Sequence, residues 1–366
     1  MVTTTTEHAA HERDYPIEIM LNQLGMLSGE NKDPYAQQLV TSEARTVQHA
    51  ADLEADIQAA LTPATPYKGV DIVACGSLAR HEWTLASDFD YLLIVDDPSD
   101  VSGQAIRYLQ RQMLEIIKRH NMNPPGATGT FGQAISSFDL TSKIGLETDT
   151  NAVTTHRILM LEESISLREK TSHQRLIEGI LERYLAEYRR PGNSISRLLL
   201  NDVVKYWRIL AVDYSSKNWL RPTDAGWGLR YLKLRITRKL AFAGMLAAIF
   251  DIALRGETLT ADRLYKNLKV PALARLGLLS DSLEDKGKDA LRSCLSLAGH
   301  FNQMLDDEDF RTMASGIEWD GMQDRKKPAQ FKEAEKVSRD LQISLQDLFF
   351  SGSDCLSSLT QKYGVF

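Results

Sequence analysis

Apolar and polar positions change their period several times along this chain. Between residues 35 and 61, Leu39, Val47, Ala50, Leu53, Ile57 and Leu61 recur at helical spacing in a stretch rich in Ala, Gln and Glu. The segment Thr62-Pro63-Ala64-Thr65-Pro66 stops that helix. Two apolar runs follow, Val70–Cys75 and Asp88–Val95, both bounded by turn residues, and they read as buried strands. Helical spacing returns over 101–119 through Ile106, Leu109, Met113, Ile116 and Ile117. A loop opens at Asn123-Pro124-Pro125-Gly126, and Ala134–Leu140 predicts a third, weaker strand behind it. Beyond about residue 150 the pattern is helical, with helices predicted at 151–163, 172–189, 195–215, 228–254, 260–268, 284–305 and 328–348. The chain therefore reads as α+β: a small mixed-sheet domain over 35–165, preceded by a polar, partly disordered segment 1–34 and followed by helical structure over 166–366.

Composition narrows the class. Apolar residues at 43% and charged residues at 25% describe an ordinary globular protein. The formal net charge of −6 argues against a uniformly basic protein that coats nucleic acid and leaves room for a local basic cleft. Cys75, Cys294 and Cys355 are far apart and form neither a CxxC pair nor a zinc spacing, which fits a reducing cytoplasm. The N-terminal Met-Val-Thr-Thr-Thr-Thr-Glu-His lacks the apolar core of a signal peptide. The longest apolar run, Leu240–Leu254, contains Asp251 and is shorter than a membrane span, so it predicts a buried helix. The eight histidines fall into no H-x-E or H-E-x-x-H grouping, and no Ser-His-Asp set can be assembled. His156 and Arg157 open a helix and read as surface residues.

The chemistry concentrates between residues 76 and 90, Gly-Ser-Leu-Ala-Arg-His-Glu-Trp-Thr-Leu-Ala-Ser-Asp-Phe-Asp. Alternate side chains of a strand share a face, so Asp88 and Asp90 project together, with Leu92 and Ile94 beyond them. Phe89, Tyr91, Leu93 and Val95 lie opposite. Two neighbouring carboxylates repel unless a cation stands between them. Mg²⁺ suits that position, because it takes oxygen ligands, accepts one or two carboxylates and completes its shell with phosphate and water. Gly76 lets backbone approach a ligand closely. The Ser77 hydroxyl and the N–H groups of a short helix starting near Leu78 are placed to receive a phosphate. Arg80, in that same helix, is a candidate triphosphate contact, and Glu82 orients a neighbour. Ser87 stands directly before the acidic pair.

The order strand, Gly-Ser, short helix, Asp-x-Asp, apolar strand resembles the signature of the DNA polymerase β-like nucleotidyltransferase superfamily. The Arg80/Glu82 and Ser87-Asp88-Phe89-Asp90 pattern is most similar to bacterial adenylyl- and uridylyltransferases that modify regulatory proteins, with toxin–antitoxin-type nucleotidyltransferases close by. The resemblance covers some twenty residues. It implies two Mg²⁺ ions (Mn²⁺ as an alternative) held by Asp88 and Asp90, and transfer of NMP from an NTP, ATP first among them, to a hydroxyl with release of pyrophosphate. It also implies a third carboxylate on a later strand, as metal ligand or general base. Asp139 is the leading candidate, with Asp149 and Glu147 behind it. The arginine-rich stretch that follows the third Asp in the regulatory adenylyltransferases is replaced here by Thr141, Ser142 and Lys143.

The same resemblance implies that a helical domain packs on the catalytic sheet and supplies cations to the triphosphate. Lys205 lies on one face of the helix at 195–215 with Asn201 and Arg208. Residues 230–239 carry five positive charges in ten positions of an acidic chain, and Lys233, Arg235, Arg238 and Lys239 complete the candidate set. The acceptor stays open: a protein, an RNA or a small molecule, with second-messenger or RNA-tail synthesis and a non-catalytic nucleotide-binding or toxin–antitoxin-type module as alternatives. No motif was found over 255–366, and Asp306-Asp307-Glu308-Asp309 reads as a solvated acidic turn.

Overall fold

The two apolar runs pair with each other, and the rest of the chain is built around that pair. A computed structural model describes residues 16–30, 32–61, 69–96, 101–126, 130–186, 195–220, 226–318 and 327–364. Of the polar, partly disordered segment expected over 1–34, residues 1–15 lie outside the described residues, as does the Thr62–Pro66 helix stop, whereas Pro16–Gln23 is a helix whose Ile17, Met20 and Leu21 are buried in the core. The N-terminal elements are α1 (Pro16–Gln23), α2 (Ala36–Ala60), β1 (Val70–Cys75), β2 (Tyr91–Val95), α3 (Gly103–Arg119), β3 (Ala134–Ser136), α4 (Ser137–Ser142), α5 (Asn151–Glu162) and β4 (Ser164–Ser166). Helices α6 (Lys170–Leu185), α7 (Arg197–Leu220), α8 (Trp227–Lys233), α9 (Lys239–Leu254), α10 (Ala261–Lys269), α11 (Asp285–Asp306), α12 (Glu308–Ser315), α13 (Ala329–Ser351) and α14 (Asp354–Leu359) follow. The protein is α+β, a small four-stranded mixed sheet within a largely helical chain.

The sheet order is β3-β2-β1-β4. β1 and β2 are antiparallel, with Val70 opposite Val95 and Ala74 opposite Tyr91. β4 is antiparallel to β1, and β3 is parallel to β2. Every residue of β1 and β2 is buried, because helices cover both faces. On one face Ile72, Ala74, Phe89, Tyr91, Leu93 and Val95 pack with Leu53 and Ile57 of α2 and with Leu109, Met113, Ile116 and Ile117 of α3. On the other, Val73, Cys75, Leu92 and Ile94 join a larger core that runs through α5, α6, α7, α9, α11 and α13. The strict alternation along 88–95 is thus realised, and it turns Asp88 and Asp90 towards the helical side.

Two differences from the sequence reading bear on the site. The expected strand Ala134–Leu140 ends at Ser136 and continues as α4, so Leu140 packs into the core from a helix. The expected helix 228–254 is one rod with an insertion: a π-helical turn, Leu234–Arg238, joins α8 to α9. Leu240–Leu254 is the buried helix α9, and among the described residues no helix is long and apolar enough to cross a membrane. Cys75, Cys294 and Cys355 are all unpaired.

Candidate functional site

β1 ends at Cys75, and the chain reverses through residues 76–81. This segment is a set of tight turns rather than the expected short helix: the Arg80 N–H donates to the Gly76 carbonyl (3.0 Å) and the Glu82 N–H to the Ser77 carbonyl (2.9 Å). Gly76 has φ +69°, a conformation open to glycine and costly for other residues. A Cβ there would stand 3.1 Å from Asp90 Oδ2, so the glycine also makes room for that carboxylate. The Cys75 N–H donates to the Asp90 carbonyl (2.8 Å), which fixes the backbone of the acidic pair against the end of β1. Phe89 anchors the segment from the other side. It is buried, stacks on Tyr91, and its N–H donates to the Asn123 carbonyl (2.9 Å). Burial of one such aromatic contributes about 2 kcal/mol, enough to hold the register of the two aspartates.

Asp88 is exposed and Asp90 is largely enclosed. Burial pushes the Asp90 carboxyl up to about 6. Arg238 opposes that rise, Asp88 and Glu163 add to it, and Arg80 opposes it. A divalent cation against the pair would reverse the balance and favour the ionised form. Two aspartate carboxylates and the close Gly76 backbone therefore fit Mg²⁺, with phosphate and water filling the rest of its shell. Among the described residues no group of three or more His, Cys, Asp or Glu side chains could hold a metal ion.

The loop before the pair is held by side chains the sequence had offered as ligands. Ser87 is buried; its Oγ accepts from the Thr84 N–H (3.1 Å) and lies 3.0 Å from Thr84 Oγ1. Ser77 is half-buried, and its hydroxyl makes no hydrogen bond among the described residues. Arg80 is buried in ion pairs with Glu82 (3.0 Å) and Glu163, and Glu163 also pairs with Arg238. Arg80 thus fastens the turn to the start of β4. Glu163, fully buried between two arginines, is held below the usual carboxylate range by Arg238 and Arg80 against the opposing effect of burial.

The basic segment 230–239 divides. Lys233 is largely enclosed and makes no side-chain hydrogen bond or ion pair among the described residues. Burial, then Arg311, lower it to about 8, while Asp88 raises it. Lys233 and Arg238 both feel the acidic pair, Lys233 through Asp88 and Arg238 through Asp90. In a regular α-helix residues five apart sit about 140° around the axis from each other. The π turn, whose bonds run i to i+5, restores them to one side, a distortion frequent at functional sites. Arg235 instead stacks on Tyr231, its guanidinium 5.1 Å from the ring centre. Lys239 donates to Gln342 Oε1 (2.6 Å), and Lys205 to Thr154 Oγ1 (3.0 Å). Neither these three nor their partners touch the acidic pair.

Arg311 is the cation that sequence reading missed. It comes from α12, in the region without a motif, and donates to Thr84 Oγ1 (3.1 Å) and to the Ala86 carbonyl. Burial lowers its pKa from the ordinary value, and Asp88 and Asp306 partly oppose that fall. The acidic turn beside it is structural: Asp306 pairs with Arg45 (2.8 Å), Arg45 donates to the Trp83 carbonyl (2.9 Å), and Asp307 caps α12. The one signal available in the sequence was that cap, Asp307 before Glu308 and Asp309.

Asp139 does not join Asp88 and Asp90. β3 runs parallel to β2, with Ser136 opposite Val95, and the Ser137 hydroxyl donates to the Asp96 carbonyl (3.2 Å). Asp139 therefore sits past the far end of β2, about 17 Å of strand away from Asp90. Its partner is Lys143, 3.0 Å away on the same short helix. The fallbacks do not join either. Glu147 is exposed, and Asp149 pairs with Arg157 (2.6 Å). Arg157 is no surface residue: it is fully buried, and it also bonds the Tyr184 hydroxyl (2.8 Å). By position, the carboxylate on the sheet's acidic end is Glu163, since Ser164 pairs opposite Cys75.

Residues 28–122 match the family model described as "Putative nucleotidyltransferase DUF294". This segment belongs to the nucleotidyltransferase superfamily. The nucleotidyltransferase match spans α2, β1, the Gly76 turn, the acidic pair, β2 and α3. Glu163, Lys233, Arg238 and Arg311 lie outside it. No curated protein matches the chain.

Proposed function

We propose that the protein is a divalent-cation-dependent nucleotidyltransferase that moves NMP from an NTP, ATP first among the candidates, to a hydroxyl acceptor and releases pyrophosphate. The observation that carries this reading is the gathering of opposite charges at one place: Asp88 and Asp90 from the sheet, with Lys233, Arg238 and Arg311 from the helical part near enough to feel their charge. Asp88 and Asp90 would hold Mg²⁺, which neutralises phosphate charge and stabilises the oxygens of an in-line displacement when bound. Lys233, whose side chain makes no hydrogen bond or ion pair among the described residues, receives the triphosphate. Arg311 and Arg238 add fixed positive charge at the leaving pyrophosphate, and the Ser77 hydroxyl donates to a phosphate oxygen. Arg80 and Glu163 position the turn and Arg238. Asp88, the exposed carboxylate, is the group nearest solvent to take the acceptor's proton.

The test is incubation of the full chain with each α-labelled NTP, Mg²⁺ and a cell extract as acceptor source. Label transfer and pyrophosphate release that both vanish in Asp88→Asn and Asp90→Asn support the reading. Nucleotide binding without turnover in any extract overturns it.

A further inference from the structure

Glu162 and Glu163 are consecutive, yet only Glu163 belongs to the arginine-held cluster. Glu162 lines a separate cavity of about 320 Å³ behind β4, together with Ser164, His173, Lys269 and Arg275. None of Asp88, Asp90, Lys233 and Arg311 lines it. Glu162 and Arg275 are 2% and 3% exposed, so both have lost their water. Arg275 spends two of its nitrogens on backbone, donating to the carbonyls of Val270 (2.7 Å) and Leu268 (2.7 Å). Its remaining terminal nitrogen has no partner among the described residues, and neither does Glu162 Oε1. Glu162 and Arg275 feel each other's charge across the cavity wall, yet each keeps one buried polar atom with no hydrogen bond among the described residues. Such atoms are costly to leave unmet, and two of opposite character on one wall point to a ligand that answers both.

The other polar groups refine its chemistry. Ser164 Oγ donates to the Met160 carbonyl (2.6 Å) and so accepts from His173 Nε2 (2.8 Å). That hydroxyl is committed to the last turn of α5. Lys269, exposed at the rim, adds positive charge on the side of Arg275. The cavity lies near the lower end of the small-molecule range of roughly 300–1,000 Å³.

We propose that this cavity binds a small zwitterion of α-amino-acid size, its carboxylate received by Arg275 and Lys269 and its ammonium by Glu162. A ligand ammonium also favours the ionised form of Glu162, which burial and Glu163 otherwise raise towards the neutral acid. The proposal is independent of the nucleotidyl-transfer reading.

Calorimetric titration of the full chain with each of the twenty amino acids tests it, with inorganic phosphate and succinate as anions that lack an ammonium. At least one amino acid should bind, and the two anions should bind at least about tenfold more weakly. Glu162→Gln and Lys269→Ala should each weaken that amino acid by about tenfold or more, with melting curves showing that both variants fold. Lys239→Ala, which lies away from the cavity, should leave the affinity unchanged. The proposal is overturned if no amino acid binds, if phosphate or succinate binds as tightly, or if folded Lys269→Ala and Glu162→Gln keep full affinity.

Discussion

Gly76 and Asp90 occupy space that a side chain at position 76 would share: the added Cβ would lie 3.1 Å from Asp90 Oδ2, on a backbone with φ +69°. Gly76→Ala should therefore cost about 1–2 kcal/mol of stability through backbone strain, measured by urea unfolding. Activity should fall further than stability, by about tenfold or more, because the carboxylate is displaced. A variant as active as the parent would show that Asp90 does not need its present position.

Lys233 and Lys239 differ by six positions and should differ sharply in effect. Lys233 feels Asp88 and Arg311 and makes no hydrogen bond or ion pair among the described residues, whereas Lys239 is spent on Gln342. Lys233→Met should weaken nucleotide binding by about ten- to a hundredfold. Its thermal stability should hold or rise, since burial disfavours the lysine charge. Lys239→Met and Arg235→Ala should leave nucleotide affinity within about twofold, because neither faces the acidic pair. Equal losses from all three would mean that the π turn does not sort them.

Asp90 also makes a pH prediction. Its carboxyl is raised from the ordinary value to about 6, chiefly by burial. The folded state thus binds the proton more tightly than the unfolded chain. Without metal, its contribution to stability falls as pH rises from about 4 to about 6. Mg²⁺ competes with that proton, so Mg²⁺ affinity should drop as pH falls below about 6 and level off above it. Titration calorimetry at a series of pH values reads this directly. An affinity unchanged between pH 5 and 7.5 would contradict the assignment of Asp90 as a ligand.

Asp139→Asn should leave kcat/KM within about twofold, since about 17 Å of strand separates Asp139 from Asp90. A loss of a hundredfold or more would require the sheet register to be different.

The reason Asp139 misled sequence reading is topological. Strand, helix and strand in succession, here β2, α3 and β3, form a crossover that makes the two strands parallel. The far end of β3 then lies with the far end of β2, away from the acidic pair. The positions of that segment bonded to Tyr91 and Leu93 are Gly132 and Gln133, and neither is a carboxylate. The pattern at 76–95 was readable because it is local: an apolar strand, a glycine turn and strict alternation around Asp88 and Asp90. Glu163 and Arg311 were not, because each depends on a contact remote in sequence. Glu163 meets Arg80 across 83 positions, and Arg311 meets Thr84 across 227. β4 has three residues and no run long enough to show a period. The π turn leaves no mark in hydrophobic spacing either, yet it bears on which cations of 230–239 come near the acidic pair.

Pyrophosphate release tests the central claim most directly. With Mg²⁺, NTP and a cell extract, the parent chain should release pyrophosphate. Asp88→Asn and Asp90→Asn, each shown to be folded, should lose that release by about a hundredfold or more. Release that persists in either variant, or that never occurs with any NTP while the nucleotide binds, would contradict it.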